Sequence, residues 1–438
     1  MTNPIKKIVE MDAPTYENST TVSKLANVPL HLWDQVKIAL QARMNVGLGG
    51  NAGMGKSQLF ADVQSLFGNN ASYVLGRNDL DIKSLYREMD FSGLKDAMEK
   101  GGKVSERSLT DITSEISKPL IVVEEINRCV EIVQNQLFNI FEGFIELNGK
   151  RYSLGGTELK TFKDFGGKEW HQNVAYSVGV WSANFGNGQY TGTVSMDKAM
   201  KERSHLIIDV DNFTPGYDNP QDLDRILMGA EGEVRLKYQD EPIDRTKDFV
   251  DAFTYLKQKA KTPNVEELSQ EMLLFRYLVL GLDYIPCTAA DNSKRKMKEV
   301  WPSKAEEDSI GSGDDLMIYR MVKPASIRSA QTIMGYARSM REYIKAKNPK
   351  AKPTVLESVV ESFKLIGAYS GIIENPQRIT ENFVGNPYLA ANEVGKILKR
   401  RLNDKSDLIA AIAHYKGANE PLPKNVLDDC KGEFKCWR

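Results

Sequence analysis

The stretch Gly50-Asn-Ala-Gly-Met-Gly-Lys-Ser57 decides the fold of this chain. It fits the pattern G-x-x-x-x-G-K-[ST] in full, and its glycines let backbone N–H groups fold around a phosphate. In such a loop Lys56 would bridge the β- and γ-phosphates of a nucleotide, and the Ser57 hydroxyl would bind Mg²⁺. The alternative is an ordinary tight turn before a helix. The predicted nucleotide-binding residues are Gly50, Asn51, Ala52, Gly53, Met54, Gly55, Lys56 and Ser57.

Strand and helix patterns alternate on both sides of this loop. Short apolar runs predict buried strands, and apolar residues at helical spacing predict helices between them. The strands are expected at 45–49, 72–75, 119–123, 174–182 and 205–210, and the helices at 29–44, 56–67 and 130–142. Asn148-Gly149, flanked by 144–147 and 150–154, predicts a β-hairpin. The pattern is typical of an α/β P-loop core, a parallel sheet flanked by helices.

The chain changes character after Pro215, where the patterns become mostly helical. Residues 1–23 are polar and are expected to form an N-terminal tail, and residues 24–214 are expected to form the α/β core. The helical part that follows contains a polar stretch at about 288–315. The length of 438 residues agrees with two or three domains.

Composition excludes several classes of protein. The 58 Lys and Arg against 59 Asp and Glu leave a net charge of −1, which argues against a histone-like nucleic-acid binder. The four cysteines are too few for a disulfide framework and are expected to be reduced thiols. A Cys430–Cys436 pair, or a partial metal site there, is the alternative. The longest apolar run, 272–282, is too short to cross a bilayer, so we expect a cytoplasmic protein without membrane insertion.

A phosphate loop alone does not separate kinases, GTPases and ATPase motors, and the run Leu120-Ile-Val-Val-Glu-Glu125 is more discriminating. It predicts a buried strand that ends in two carboxylates beside the phosphates. We expect Glu124 to bind the metal, through a water, and Glu125 to act as the base that orients the attacking water. The alternative is a pair of solvated acids at a strand end.

Two further residues follow in an order that suits nucleotide hydrolysis. Asn184 comes directly after a predicted buried strand, where its amide would hold the attacking water or contact the γ-phosphate. Arg203 precedes the last predicted strand, and an arginine there often faces the nucleotide of a neighbouring subunit. On its own, Arg203 would more often be a solvated charge.

Together these motifs resemble an AAA+ ATPase and, within that class, the MoxR group. The resemblance covers residues 40–214 and rests on Gly50–Ser57, Asn184, Arg203 and the run Glu124-Glu-Ile-Asn-Arg128. Three further features support it. They are a Gln- and Asn-rich helix at Val133–Leu137, the hairpin at Asn148-Gly149, and, after the predicted sensor residue Asn184, the residues Tyr190, Gly192 and Glu202. The chain departs from the group in having Glu124 where most members have Asp.

The resemblance implies hydrolysis of ATP with Mg²⁺ and a helical lid, which we expect at 215–372 with the polar stretch as an insertion. The helical patterns after it predict an additional C-terminal appendage at 373–438. Within Pro324–Ala330, it implies that Arg328 is a second sensor that contacts the γ-phosphate in cis. Because Arg203 would act in trans, a homo-oligomeric ring is implied, most simply a hexamer. Members of the group resemble chaperone or remodelling ATPases that act on a partner protein, often one with a von Willebrand A domain. The hairpin would then project toward the central pore.

Two other functions stay open at this point. The first is a nucleic-acid-directed motor, because Lys396-Ile-Leu-Lys-Arg-Arg401 is a dense basic run, although a solvated helix face also explains that run. The second is a nucleotide-gated scaffold with little turnover. A small-molecule kinase is disfavoured because Asn184, Arg203 and the long helical part would have no task in it.

Overall fold

The computed structural model describes most of the chain, and every structural statement below concerns the described residues. These are residues 3–89, 95, 99, 110–163, 167–185, 203–229, 243–262, 264–282, 284–286, 293–295 and 313–438. Tyr190, Gly192, Glu202 and most of the polar stretch 288–315 lie outside them.

Fifteen strands occur in the described residues. They are β1 (Thr21–Leu25), β2 (Val28–His31), β3 (Val46–Gly49), β4 (Ala71–Leu75), β5 (Arg87–Met89), β6 (Thr110–Ile112), β7 (Leu120–Glu124), β8 (Phe144–Leu147), β9 (Lys150–Ser153), β10 (Thr157–Lys163), β11 (Glu169–Ala175), β12 (Val178–Ser182), β13 (Leu206–Asp209), β14 (Tyr284–Pro286) and β15 (Ser293–Arg295).

The α-helices of the described part are concentrated after the last sheet strand. They are α1 (Pro4–Val9), α2 (Leu32–Gln41), α3 (Lys56–Ser65), α4 (Glu131–Phe141), α5 (Pro220–Gly229), α6 (Thr246–Lys261), α7 (Val265–Arg276), α8 (Asp314–Met321), α9 (Ile327–Lys347), α10 (Val355–Ile366), α11 (Pro376–Phe383), α12 (Pro387–Asn403), α13 (Ser406–Gly417) and α14 (Lys424–Asp429). None of the helices in the described ranges is long and apolar enough to span a membrane.

The central sheet has five parallel strands in the order β13-β3-β12-β7-β4. Strands β3 and β12 are buried along their whole length, which explains their continuous apolar sequences. Because the strands are parallel, their carboxyl ends share one edge, and the loop after β3 opens there. The predicted α/β P-loop fold is confirmed.

One predicted strand is divided in the structure. The run 174–182 was expected to be continuous, but β11 ends at Ala175 and β12 begins at Val178. Strand β11 alternates between exposed and half-buried residues and pairs with β10 in a hairpin outside the central sheet. The alternating pattern of β11 gives way to continuous burial in β12, and this change of periodicity marks the boundary.

The predicted hairpin at Asn148-Gly149 is present as β8 and β9. Both turn residues have positive φ, 52° and 76°, as a two-residue turn with this twist requires. Its apolar flanks do not face outward, because Ile145, Leu147 and Leu154 are at most 3% exposed and pack in one cluster with Phe138 and Phe141.

The N-terminal residues are not the polar tail that the composition indicated. Helix α1 buries Ile5 and Ile8 completely, in the same apolar cluster as α2 and the helical region. Further along, the backbone N–H groups of Thr15 and Tyr16 donate to Asp62 of α3, at 2.9 and 2.7 Å. The two buried apolar residues of α1, Ile5 and Ile8, are only three positions apart, and so short a pattern does not stand out among polar neighbours.

The long helix α9 joins the helical region to the core through α2. The Ser339 hydroxyl donates to the Ile38 carbonyl at 2.7 Å and accepts from Gln41 Nε2 at 2.8 Å. The Tyr336 hydroxyl donates to Gln35 Oε1 at 2.5 Å. All these groups are buried, so the contact is a continuous part of the protein interior.

The C-terminal residues, predicted as a helical appendage, are mostly helical and pack into the helical region. Trp437 is fully buried, and its indole N–H donates to the Leu273 carbonyl at 2.9 Å. Its ring lies 4.6 Å from that of Phe434, which stacks on Tyr277. Cys430 and Cys436 are free, and each thiol donates to a carbonyl on its own segment.

Candidate active site

The phosphate loop joins β3 to α3, and its backbone explains its glycines. Gly50, Gly53 and Gly55 have φ of 137°, 82° and 76°, a region that other residues rarely adopt. Gly49 is required by space, since a Cβ there would lie 1.7 Å from the Phe185 ring. The N-terminus of α3 therefore opens into a loop of backbone N–H groups, the arrangement that binds phosphate.

The Lys56 side chain folds back into the loop. Its ammonium group donates to the carbonyl oxygens of Gly50 at 2.8 Å and Asn51 at 2.6 Å. Burial lowers the pKa of Lys56, and the negative charges of Asp211, Asp209 and Glu125 oppose that shift. The charge thus lies where a bound polyphosphate would need it.

Ser57 and Glu124 meet at the carboxyl edge of the sheet. The Ser57 hydroxyl donates to Glu124 Oε2 at 3.2 Å, although 67 residues separate the two positions. Burial raises the pKa of Glu124, and hydrogen bonds from Ser57 and Tyr73 oppose that shift. A hydroxyl and a carboxylate in contact are hard oxygen donors, so the pair fits Mg²⁺.

Glu125 follows directly and has a left-handed backbone, with φ 53° and ψ 45°. Its N–H donates to the Ser182 hydroxyl at 3.1 Å, which ties it to the neighbouring strand β12. The side chain is 30% exposed and pairs with Arg128 through Oε2 at 3.0 Å. Gly76 leaves room for this turn, because a Cβ there would lie 2.3 Å from the Glu125 carbonyl oxygen.

Asn184 lies beyond the end of β12, at the same edge as the carboxylates. Its carbonyl oxygen accepts a hydrogen bond from Asn127 Nδ2 at 3.1 Å. This bond ties the segment after β12 to the turn after Glu125. The next residue, Phe185, covers Gly49 of the phosphate-loop strand. The structure therefore brings Gly50–Ser57, Glu124, Glu125 and Asn184 together.

Sequence reasoning missed two residues of this edge, Asp209 and Asp211. The backbone N–H of Asn51 donates to both carboxylate oxygens of Asp211, at 2.9 and 3.0 Å, and its side-chain amide donates at 2.9 Å. The available signal was their place: two carboxylates directly after the last buried strand reach the same edge as the loop.

The structure places the two predicted arginines at the opposite edge. The Arg203 carbonyl accepts from Asn45 Nδ2, which also donates to Phe141, and Asn45 precedes β3. The Arg203 guanidinium lies 4.8 Å from the Phe138 ring centre. Arg203 and Arg328 both pair with Glu142, just after α4. Arg328 thus lies beside Arg203 and makes its ion pair away from the phosphate loop. The predicted contact of Arg328 with the γ-phosphate in cis is not seen in this arrangement and stays a prediction.

Comparison with known families finds a match within the α/β core. Residues 45–159 match the family model described as an AAA domain of the dynein-related subfamily, and this range contains Gly50–Ser57, Glu124 and Glu125. The core has the P-loop AAA+ fold. No curated protein matches the chain.

A solved structure shares the fold of most of the chain. It is described as a "putative ATPase" from Cytophaga hutchinsonii, and it superposes with a TM-score of 0.50 at 14% identity. The similarity covers 83% of this chain and 86% of the other, so it extends past the AAA+ core into the helical region.

Proposed function

We propose that this AAA+ protein hydrolyses ATP in the presence of Mg²⁺ and that it is a MoxR-like remodelling ATPase. The observation that carries hydrolysis is the contact between Ser57 and Glu124, 3.2 Å apart, beside the phosphate loop and directly before Glu125. The Ser57 hydroxyl and the carboxylate at the end of β7 would then hold one cation next to the phosphates.

Each side chain of the site has a distinct task in this proposal. Lys56 leaves the loop carbonyls and binds the β- and γ-phosphates, while bound Mg²⁺ supplies neutralisation of the phosphate charge. Glu125 exchanges its ion pair with Arg128 for a hydrogen bond to the attacking water. Asn184 orients the same water or the γ-phosphate from the adjoining strand.

The proposed assembly is a ring, most simply a hexamer. Arg203 lies at the amino edge of the sheet, across the strands from its own phosphate loop, so it would act on the nucleotide of a second copy. Work would be done on a partner protein, for which a von Willebrand A domain protein is our candidate. Movement of the helical region against the core would transmit the force.

A protein partner is favoured over nucleic acid by the pairing of the basic run on α12. Lys396 pairs with Glu393 at 2.8 Å, Arg400 with Asp314 at 2.6 Å, and Arg401 with Glu433 at 3.0 Å. Since each of these cations already has an acidic neighbour, the run offers a weaker field to a phosphate backbone than its sequence indicates.

The test is turnover and nucleotide binding in three variants. Glu125→Gln should keep ATP binding and lose about 100-fold or more in kcat, and Lys56→Ala should lose binding itself. Glu131→Gln, an exposed carboxylate at the start of α4, is the matched control and should behave as wild type. Wild-type protein that binds ATP without turnover would support a nucleotide-gated scaffold instead. Sizing with a non-hydrolysable analogue tests the ring.

A further inference from the structure

Tyr369 belongs to the helical region but reaches the catalytic edge of the core. It follows α10 in a turn, and its ring lies 5.4 Å from that of Phe185 at an interplanar angle of 38°. It also packs against both apolar clusters of the protein, the one that joins the sheet to the helical region and the one around α4. Tyr369 is therefore wedged between the two parts of the chain.

The Phe185 ring has two neighbours. It covers Gly49 of the phosphate-loop strand, so closely that a Cβ at Gly49 would overlap it, and it also contacts the Tyr369 ring. Phe185 directly follows Asn184, the residue that we assign to the attacking water. The position of Asn184 thus depends on a ring contributed by the helical region.

The Tyr369 hydroxyl also interacts with the Asp209 carboxylate at the end of β13: burial and the Asp209 charge raise the pKa of Tyr369. Asp209 and Asp211 lie in one turn, whose Asp211 carboxylate holds the Asn51 N–H in the phosphate loop. The charges of both aspartates also oppose the lowering of the Lys56 pKa by burial. The Tyr369 side chain therefore meets Phe185, next to Asn184, through its ring, and the turn beside the phosphate loop through its hydroxyl.

We infer that Tyr369 is a positioning residue for ATP hydrolysis, which acts through Phe185 on Asn184 and through Asp209 on the phosphate loop. The inference rests on the proposed function. The ring contact is the part that sets the water-orienting amide, because it lies one residue from Asn184. The hydroxyl contact adjusts the loop. When the helical region shifts against the core, Tyr369 carries that shift to both elements.

The decisive experiment compares kcat and KM for ATP in Tyr369→Ala and Tyr369→Phe. Loss of the ring should lower kcat by about 10-fold or more with KM changed less than about 3-fold, since a displaced catalytic group costs rate rather than binding. The Phe variant keeps the ring and should retain kcat within about 3-fold. Tyr255→Ala removes another half-buried tyrosine of the helical region, bonded to Glu342, and should leave kcat unchanged.

A double variant separates positioning from general damage. Asn184→Ala and Tyr369→Ala should not add, because each disables the same water-orienting amide. If Tyr369→Ala does not fold, Phe185→Leu tests the contact from the other side and should show the same drop in kcat. Unchanged kcat, or losses that add in the double variant, would overturn the inference while wild-type turnover stands. Absence of turnover in wild-type protein would overturn the proposed function itself.

Discussion

Arg203 and Arg328 bind the same carboxylate oxygen, Oε1 of Glu142, at 3.5 and 2.9 Å. One arginine comes from the core and the other from the first turn of α9, so this carboxylate ties the helical region to the amino edge of the sheet. The two arginine side chains are 28% and 48% exposed, and Glu142 is 37% exposed. A site that holds two cations around one anion can exchange that anion for a phosphate of a neighbouring molecule.

If the proposed ring forms, Glu142→Gln should release Arg203 for the nucleotide of the next subunit. We expect turnover at low protein concentration to rise by about 2- to 5-fold, with a stability loss under about 1 kcal/mol because the ions are partly solvated. Specific activity against protein concentration measures this. Glu146→Gln, which breaks the exposed pair with Arg151, is the control. A fall in turnover would show that Glu142 holds Arg203 in its active place.

Glu124→Gln tests the metal site. Removing the charge from the Ser57–Glu124 pair should raise the Mg²⁺ concentration for half-maximal turnover by about 10-fold, since oxygen ligands lose affinity when neutral. Nucleotide binding in the absence of metal should persist, because the loop and Lys56 are intact. A magnesium titration of ATPase activity is the measurement, with Glu393→Gln on α12 as the control. An unchanged titration would remove Glu124 from the metal site.

His205 should make stability depend on pH. Burial and the charges of Arg328 and Arg43 lower the pKa of His205 to about 4, and its Nδ1 accepts the N–H of Asn45 at 3.0 Å. The unfolded chain, with a histidine pKa near 6.5, binds the proton first, so stability is full above that value and falls toward pH 4. The lowering of the pKa from 6.5 to about 4 limits this loss to about 3 kcal/mol.

Urea unfolding between pH 4.5 and 7.5 checks the sign of this effect. The wild-type free energy of unfolding should fall as pH drops through 6, and His205→Asn should flatten the dependence over that window. The amide oxygen of Asn can still accept from Asn45, so the variant tests protonation more than lost bonding. Parallel curves for the two proteins would contradict the assignment.

Trp437→Ala should show that the C-terminal residues belong to the helical core. The ring is fully buried against Phe434 and Tyr277, and its removal should cost about 3–5 kcal/mol. Thermal and urea unfolding measure the cost. Trp170→Ala on the β10–β11 hairpin removes a half-buried ring of the same size and should cost less. An equal cost would mean that the C-terminus contributes no special support.

The nucleotide site was the most predictable part because its chemistry is local. Gly50–Ser57 is a short run whose glycines, lysine and serine together indicate a phosphate-binding turn. Glu124-Glu125 is a short run that places two carboxylates at the end of a buried strand. The α/β class followed from strand periodicity, since buried parallel strands must be apolar throughout. The division between β11 and β12, the pairing of β1 with β2, and the buried helix α1 carried weaker signals, because each depends on what packs against it.

The sequence by itself determined the phosphate loop, the acidic strand end and the parallel α/β core, because these follow from spacing within a few residues. Tertiary structure alone decided that Asp211 holds the loop, that Tyr369 reaches Phe185, and that Arg203 and Arg328 share Glu142. Those contacts join residues far apart in the chain. They exist because the sheet brings distant strand ends together and the helical region packs on the core, and no local sequence pattern records either arrangement.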